Sequence, residues 1–182
     1  MDVEKALQAL KDKLAQQGVP FARIGALAMR HYGYLRHTED IDILMAPEGL
    51  RKLHEKAVGL GIVPRGPGLR KSLRDSTNRV GIDVIQSGEL AGSDQSPLVY
   101  PDPRSDAFVE HEELRLPRLE TLVDFKLASG SWGRRLRDLA DVIQLIRTHR
   151  LDEAFATRLK PPLRSTYREH LEQSRGEINQ GG

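Results

Sequence analysis

The 182-residue sequence contains no cysteine, and aromatic residues make up only 5% of it. The absence of cysteine excludes disulfide bonds and thiolate metal sites, and it favours a cytoplasmic setting. No apolar run reaches the roughly 20 residues that a membrane helix needs. The first residues also lack the basic and then apolar pattern of a signal peptide. We therefore expect a cytoplasmic protein with no membrane partner.

The charge balance is close to neutral and only mildly basic. There are 28 Lys and Arg residues against 26 Asp and Glu residues, which gives a formal charge of +2. This balance is compatible with binding nucleotides or RNA without requiring it. The length predicts one domain with a sizeable core, extended by a helical region.

Hydrophobic spacing and turn residues predict an alternation of helices and strands. The expected helices span 3–17, 26–34, 47–59, 118–129, 134–148 and 162–174, with a short one near 152–159. The expected strands span 20–24, 40–45 and 62–64, followed by a hairpin of 69–74 and 79–85. Residues 86–107 hold many glycines, prolines and serines and are expected to form loops. We divide the chain into an N-terminal core (1–116), a C-terminal helical region (117–176) and a flexible tail (177–182).

Two carboxylates lie two residues apart in the predicted strand Asp40-Ile41-Asp42-Ile43-Leu44. Side chains alternate between the faces of a strand, so Asp40 and Asp42 share one face and the isoleucines share the other. Two like charges on one face of so apolar a strand are costly unless a cation compensates them. Mg²⁺ is suited to this arrangement because it binds one or two carboxylates together with water and phosphate oxygens. The alternative is a solvated edge strand.

Asp83 is the third candidate acid, in the predicted strand Gly81-Ile82-Asp83-Val84-Ile85. Ile82 and Val84 share a face, so Asp83 is on the other. If this strand lies beside the first acid strand, three carboxylates come together. Three acids around one or two Mg²⁺ ions are typical of phosphoryl or nucleotidyl transfer.

The order of these motifs resembles the nucleotidyltransferase superfamily of the DNA polymerase β type, and most closely its small prokaryotic AbiEii-like branch. The resemblance rests on Gly25-Ala26, a helix, the segment Arg36-His37-Thr38-Glu39-Asp40-Ile41-Asp42-Ile43 and the later Asp83, and it covers about residues 20–146. It implies an α/β (α+β) nucleotidyltransferase fold, in which a short mixed β-sheet is flanked by helices and a C-terminal helical bundle closes one side of a cleft.

The same resemblance implies the roles of the site residues. Gly25 and Ala26 would contact the phosphates of a nucleoside triphosphate (NTP), and Asp40, Asp42 and Asp83 would hold Mg²⁺ or Mn²⁺. Ala26 stands where serine is commoner in the family, so a hydroxyl contact to phosphate is missing. Gly25 could equally serve only as a turn residue.

The C-terminal region carries a second match. Lys126 followed by Arg137-Asp138 and Asp141 resembles the AbiEii-like pattern of a lysine and a later R-D-x-x-D. Lys126 also lies on the apolar stripe of its predicted helix, where a lysine needs either a cleft edge or an acidic partner, and Asp138 is a reasonable partner. We predict that Lys126 contacts nucleotide phosphate or assists the acceptor and that Asp138 orients it. The alternatives are a lysine that covers the edge of the core and ordinary helix-surface ion pairs.

A basic group in the middle of the chain is a further candidate phosphate or RNA surface, although solvated hairpin charges explain it as well. It consists of Arg65, Arg70, Lys71, Arg74 and Arg79.

These patterns predict a metal-dependent nucleotidyltransferase that moves a nucleotide from an NTP to an acceptor hydroxyl. The acceptor would be RNA or protein, and a toxin-like role with a cognate antitoxin would fit the resemblance. The alternative is a non-catalytic nucleotide-binding or protein-interaction module of the same fold. A third possibility is an α/β binding protein in which the paired aspartates are coincidental.

Overall fold

The computed structural model describes residues 2–176, and the predicted flexible tail, 177–182, lies outside them. The helices in this range are α1 (Val3–Gln16), α2 (Gly25–His31), α3 (Pro47–Lys56), α4 (Leu119–Trp132), α5 (Leu136–His149) and α6 (Arg164–Gly176). The strands are β1 (Phe21–Arg23), β2 (Asp40–Met45), β3 (Ile62–Pro64), β4 (Ser72–Asp75), β5 (Gly81–Gln86), β6 (Phe108–His111) and β7 (Leu114–Pro117). Short 3₁₀ helices, Glu153–Arg158 and Pro161–Leu163, lie between α5 and α6.

All of these strands belong to one mixed sheet with the order β3-β4-β5-β2-β1-β7-β6. Strand β2 pairs with β5 in parallel, and β1 pairs with β7 in parallel. The remaining neighbours are antiparallel. The mixed α/β architecture is the predicted class, and the two acid-bearing strands lie side by side in the middle of the sheet.

Burial follows the predicted alternation along both acid strands. Ile41, Ile43, Ile82 and Val84 are buried in one hydrophobic cluster, which also includes residues of α1 and α3. The acids between them are only partly buried. The apolar face therefore holds the sheet against its helices, and the other face presents the carboxylates.

Local sequence signals explain where the helices next to this core begin. Asp2 caps α1, because its side chain accepts a hydrogen bond of 3.1 Å from the backbone N–H of Lys5. Pro47 begins α3, where its missing N–H leaves no hydrogen bond unmade. Gly18 follows α1 with a φ of +59°, a conformation that glycine adopts without strain.

The hairpin of β6 and β7 is the part of the sheet that sequence reasoning missed. Its turn is formed by Glu112 and Glu113, which have φ values of +51° and +61°. Tight hairpin turns of this hand normally use asparagine or glycine, so the sequence gives no turn signal here. The hairpin extends the sheet because Arg115 of β7 pairs with Ala22 of β1.

The chain forms two compact units. One comprises residues 2–31, 35–89 and 101–117 and contains the whole sheet, and the other comprises residues 32–34, 90–100 and 118–176. The second unit contains α4, α5 and α6 and takes in two short segments from the predicted N-terminal core. No helix within residues 2–176 is both long and apolar enough to cross a membrane.

Candidate nucleotidyl-transfer site

The register between β2 and β5 places the three candidate acids on adjacent strands. Asp42 pairs with Asp83, and Asp40 pairs with Gly81. Side chains at paired positions of neighbouring strands lie on the same face of a sheet. The two acid strands are thus neighbours in the sheet, as expected. Their pairing brings together residues that are about 40 positions apart in sequence.

An arginine lies between two of these acids. The Nη2 atom of Arg65 donates to Oδ1 of Asp40 at 3.0 Å and to Oδ2 of Asp83 at 3.2 Å. Its Nε atom donates to the backbone carbonyl of Leu73 at 2.9 Å. We call Arg65, Asp40 and Asp83 the exposed cluster, because their side chains are 31%, 46% and 42% exposed.

Two hydroxyl groups form hydrogen bonds with the acid strands. Ser72 on β4 donates to Oδ1 of Asp83 at 3.0 Å, and the two residues are paired across β4 and β5. Thr38 donates to the backbone carbonyl of Asp40 at 2.9 Å, at the start of β2. Thr38 thus shapes the loop before the paired aspartates, as its place in the sequence motif indicates.

Gly25 lies directly against the second acid. A Cβ atom at this position would be 2.0 Å from Oδ2 of Asp42, and the φ of Gly25 is +63°. Both the close approach and the left-handed backbone therefore require glycine. The backbone N–H of Ile24 also donates to the carbonyl of Asp42 at 3.0 Å, which fixes the end of β1 beside β2. Ala26, the next residue, is buried in α2.

The acids suit a divalent cation in chemistry and position. Carboxylate oxygens are the ligands that Mg²⁺ and Mn²⁺ prefer, and Arg65 shows that one cationic group already fits between Asp40 and Asp83. With Arg65 in that position, no three His, Cys, Asp or Glu side chains among residues 2–176 are arranged to hold an ion. The donor chemistry of the acids suits a metal, and in this structure a guanidinium contacts two of the three acids.

Lys126 belongs to a second cluster of charges, within the helical unit. Its Nζ atom lies 2.6 Å from Oδ1 of Asp138 and 2.8 Å from Oδ2 of Asp141. We call these three residues the buried cluster, because their side chains are only 8%, 11% and 3% exposed. The expected pairing of Lys126 with Asp138 is present. Asp141, expected as a helix-surface partner of Arg137, also contacts the lysine.

Asp124 is a further buried acid on the same helix as Lys126. It accepts hydrogen bonds from the backbone N–H of Lys160, at 3.1 Å to Oδ1 and 3.3 Å to Oδ2. Burial is the main cause that raises the pKa of Asp124 to about 7, against the lowering effect of the Lys160 N–H and charge. Sequence reasoning gave no signal for this residue beyond its place in an apolar helix.

Comparisons with solved structures identify the architecture that carries these residues. An antigenic nucleotidyltransferase-like protein from Paracoccidioides brasiliensis superposes with a TM-score of 0.58 at 16% identity, over 97% of this chain and 89% of that one. The antibiotic-resistance factor ANT(2″)-Ia, in its solution structure, gives a TM-score of 0.56 at 13% identity, over 99% and 97% of the two chains. The chain has a nucleotidyltransferase fold.

A crystal structure of ANT(2″)-Ia in complex with adenylyl-2″-tobramycin shares this nucleotidyltransferase fold, with a TM-score of 0.52 at 14% identity, over 88% of this chain and 96% of that chain. At these identities the likeness concerns the fold alone. No protein-family model and no curated protein sequence matches the chain.

Within the nucleotidyltransferase fold, sequence reasoning located the acid strands and the glycine but not the contacts of Arg65. Arg65 was one of five basic residues proposed as a phosphate or RNA surface. Of the others, Lys71 pairs with Glu89, and Arg79 has a φ of +59° in the turn before β5. The position of Arg65 directly after β3 became informative only when the order β3-β4-β5-β2 was known.

Proposed function

We propose that the chain transfers a nucleotidyl group from an NTP to an acceptor hydroxyl. The observation that carries the proposal is the pairing of Asp42 with Asp83 across β2 and β5, with Asp40 on the same face, in a nucleotidyltransferase fold. Gly25 supports it, because only a residue without a Cβ atom can lie this close to the Asp42 carboxylate at the end of the first strand.

In this proposal Asp40, Asp42 and Asp83 would hold Mg²⁺ or Mn²⁺. A bound divalent ion would stabilise the charge that develops on the phosphate oxygens and would orient the triphosphate. Gly25 and the backbone of Ala26 would border the phosphates. The acceptor oxygen forms a bond to the α-phosphorus, the bond from that phosphorus to the bridging oxygen breaks, and pyrophosphate leaves while the hydroxyl proton is released.

The proposed roles of Lys126 and Asp138 rest on narrower support. The 2.6 Å contact supports the idea that Asp138 orients the lysine. Lys126, Asp138 and Asp141 are also the residues that resemble the AbiEii-like sequence pattern. We therefore keep the AbiEii-like placement, a toxin-like role and a cognate antitoxin in the proposal. A purely structural role for the cluster predicts the same contacts.

The acceptor class is the open part of the proposal and can be tested directly. The purified chain would be incubated with each α-labelled NTP and Mg²⁺ or Mn²⁺, in separate reactions with total RNA, total protein and tobramycin. We include tobramycin because ANT(2″)-Ia, which shares the fold, was solved with its adenylylated form. Label on RNA or protein would agree with the sequence-based prediction, whereas label on tobramycin would point to a small polyhydroxylated acceptor.

Asp42→Asn is expected to lower the rate of label transfer by at least about 100-fold, because it removes a charged ligand of the proposed cation. Asp94→Asn, at an exposed position in the loop 90–100, is the matched control and should keep full transfer. Circular dichroism and thermal melting would establish that both variants are folded. Transfer by Asp42→Asn at the wild-type rate would show that the assigned site is wrong.

A non-catalytic nucleotide-binding module is the second candidate function. The observations that favour it are Ala26, which offers no hydroxyl to phosphate, and Arg65, which already neutralises two of the acids. Binding of an NTP without label transfer to any acceptor would support this candidate over the first.

A further inference from the structure

Arg65 is anchored in the exposed cluster by its own backbone surroundings. It follows β3, and its Nε atom donates to the carbonyl of Leu73 on β4 at 2.9 Å. That hydrogen bond directs Nη2 toward Asp83 on β5 and Asp40 on β2. The guanidinium is therefore placed between the acids by the sheet.

Gly81 provides the space for this arrangement. A Cβ atom at Gly81 would lie 1.9 Å from Oδ1 of Asp40 and 2.0 Å from Nη2 of Arg65. Gly81 is not among the glycines with positive φ, so its backbone would accept another residue. The glycine is needed here for the contact between the carboxylate and the guanidinium.

The contact is open to solvent, and this decides how firmly it holds. Exposed ion pairs contribute about 0–1 kcal/mol to stability, because water and salt screen them. With 31% of the Arg65 side chain exposed, breaking its contacts with the two carboxylates is expected to cost little. A divalent ion carries twice the charge of the guanidinium and binds carboxylate oxygens directly.

We propose that Arg65 is an internal counter-ion that competes with the divalent cation for Asp40 and Asp83. This inference rests on the metal site of the proposed function. Arg65 compensates the acids before a metal would bind, and its Nη2 atom would have to leave both carboxylates before they could hold an ion. Metal affinity is then set partly by a residue that is not a ligand.

The test is Mn²⁺ binding without nucleotide, measured by isothermal titration and by the electron paramagnetic resonance signal of free Mn²⁺. Arg65→Gln is expected to bind Mn²⁺ at least tenfold more tightly than the wild type. Arg65→Lys keeps the competing charge and should stay within threefold of the wild type. Arg74→Gln removes an exposed arginine from β4 and controls for the loss of one positive charge nearby.

Equal or weaker Mn²⁺ binding by Arg65→Gln would overturn the proposal, and so would an equal gain in Arg74→Gln. Absence of Mn²⁺ binding in every variant would overturn it as well, leaving Arg65 as a permanent counter-ion. If Arg65→Gln does not fold, Arg65→Met is the second neutral variant. Label transfer decides the proposed function separately, since transfer can occur without an Arg65 effect on metal affinity, and the effect can occur without transfer.

Discussion

Among residues 2–176, two clusters share one arrangement, in which a cationic side chain lies between two aspartates. The exposed cluster of Arg65, Asp40 and Asp83 lies on the sheet, and its side chains are 31–46% exposed. The buried cluster of Lys126 with two aspartates lies in the helical unit, and its side chains are 3–11% exposed. Solvent access is thus the main physical difference between them.

That difference separates an exchangeable cluster from a fixed one. Water and salt screen the exposed charges, so the partner of an acid can change at little cost. In the buried cluster, removing the ammonium group leaves both aspartates without compensation in a medium of low dielectric constant. We therefore expect that a cation of the solution can replace Arg65, whereas the contacts of Lys126 are part of the folded structure.

The largest effect on stability is expected for Lys126→Met. It keeps the apolar stem but leaves Asp138 and Asp141 buried without their ammonium group, so the free energy of unfolding should fall by about 3–5 kcal/mol. The matched change in the exposed cluster, Arg65→Gln, should cost about 0–1 kcal/mol. Urea unfolding followed by circular dichroism would measure both values.

Comparable losses in these two variants would contradict the distinction between the clusters. If Lys126→Met does not accumulate as folded protein, the double variant with Asp138→Asn should recover part of the loss, because it removes one of the uncompensated charges.

An intermediate effect on stability is expected from a change at Asp124, a buried acid that accepts hydrogen bonds from the backbone N–H of Lys160. Because the folded-state pKa is raised from 3.8 to about 7, the folded protein binds a proton more tightly than the unfolded chain. The stabilisation that comes from proton binding at Asp124 is complete below the pKa of the unfolded chain, near 4, and is lost as the pH rises through about 7.

Asp124→Asn cannot titrate but keeps an oxygen that accepts from Lys160. As the pH rises from 5 to 8, the stability of this variant relative to the wild type should increase by an amount on the order of 1–3 kcal/mol. Urea midpoints at both pH values would show this, with the exposed Asp94→Asn as the control. A difference that stays constant with pH would mean that Asp124 is not the titrating group.

The smallest effect on stability is expected for Gly81→Ala. The atoms nearest to the new Cβ would be the ends of the Asp40 and Arg65 side chains, which can move into solvent, so we expect a loss of about 1 kcal/mol or less. The same change should separate Arg65 from Asp40 and therefore raise Mn²⁺ affinity in the direction expected for Arg65→Gln. A large loss of stability with unchanged Mn²⁺ affinity would mean that Gly81 serves the backbone.

The sequence was most informative where one physical signal determines the structure. Alternating isoleucines and aspartates located both acid strands and the face each would bury, and Pro47 marked the start of α3. Lys126 on an apolar stripe implied either a cleft edge or an acidic partner, and in the structure it contacts Asp138.

What the sequence could not provide depends on tertiary pairing. The turn of β6 and β7 uses Glu112 and Glu113 in the left-handed region, which no composition signal indicates. The contacts of Arg65 depend on the position of β3 two strands away from β5. The raised pKa of Asp124 depends on packing around α4, and the sequence there shows only an aspartate in an apolar helix.

The position of the acid strands in the sheet has a consequence for how such a protein can diversify. Strands β5 and β2 are third and fourth in the order of seven, so both edges, β3 and β6, belong to other segments. Insertions or replacements at either edge can change the loops that border the sheet without shifting the pairing of Asp42 with Asp83. Changes at either edge can therefore alter the surface around the acids while the acids keep their register.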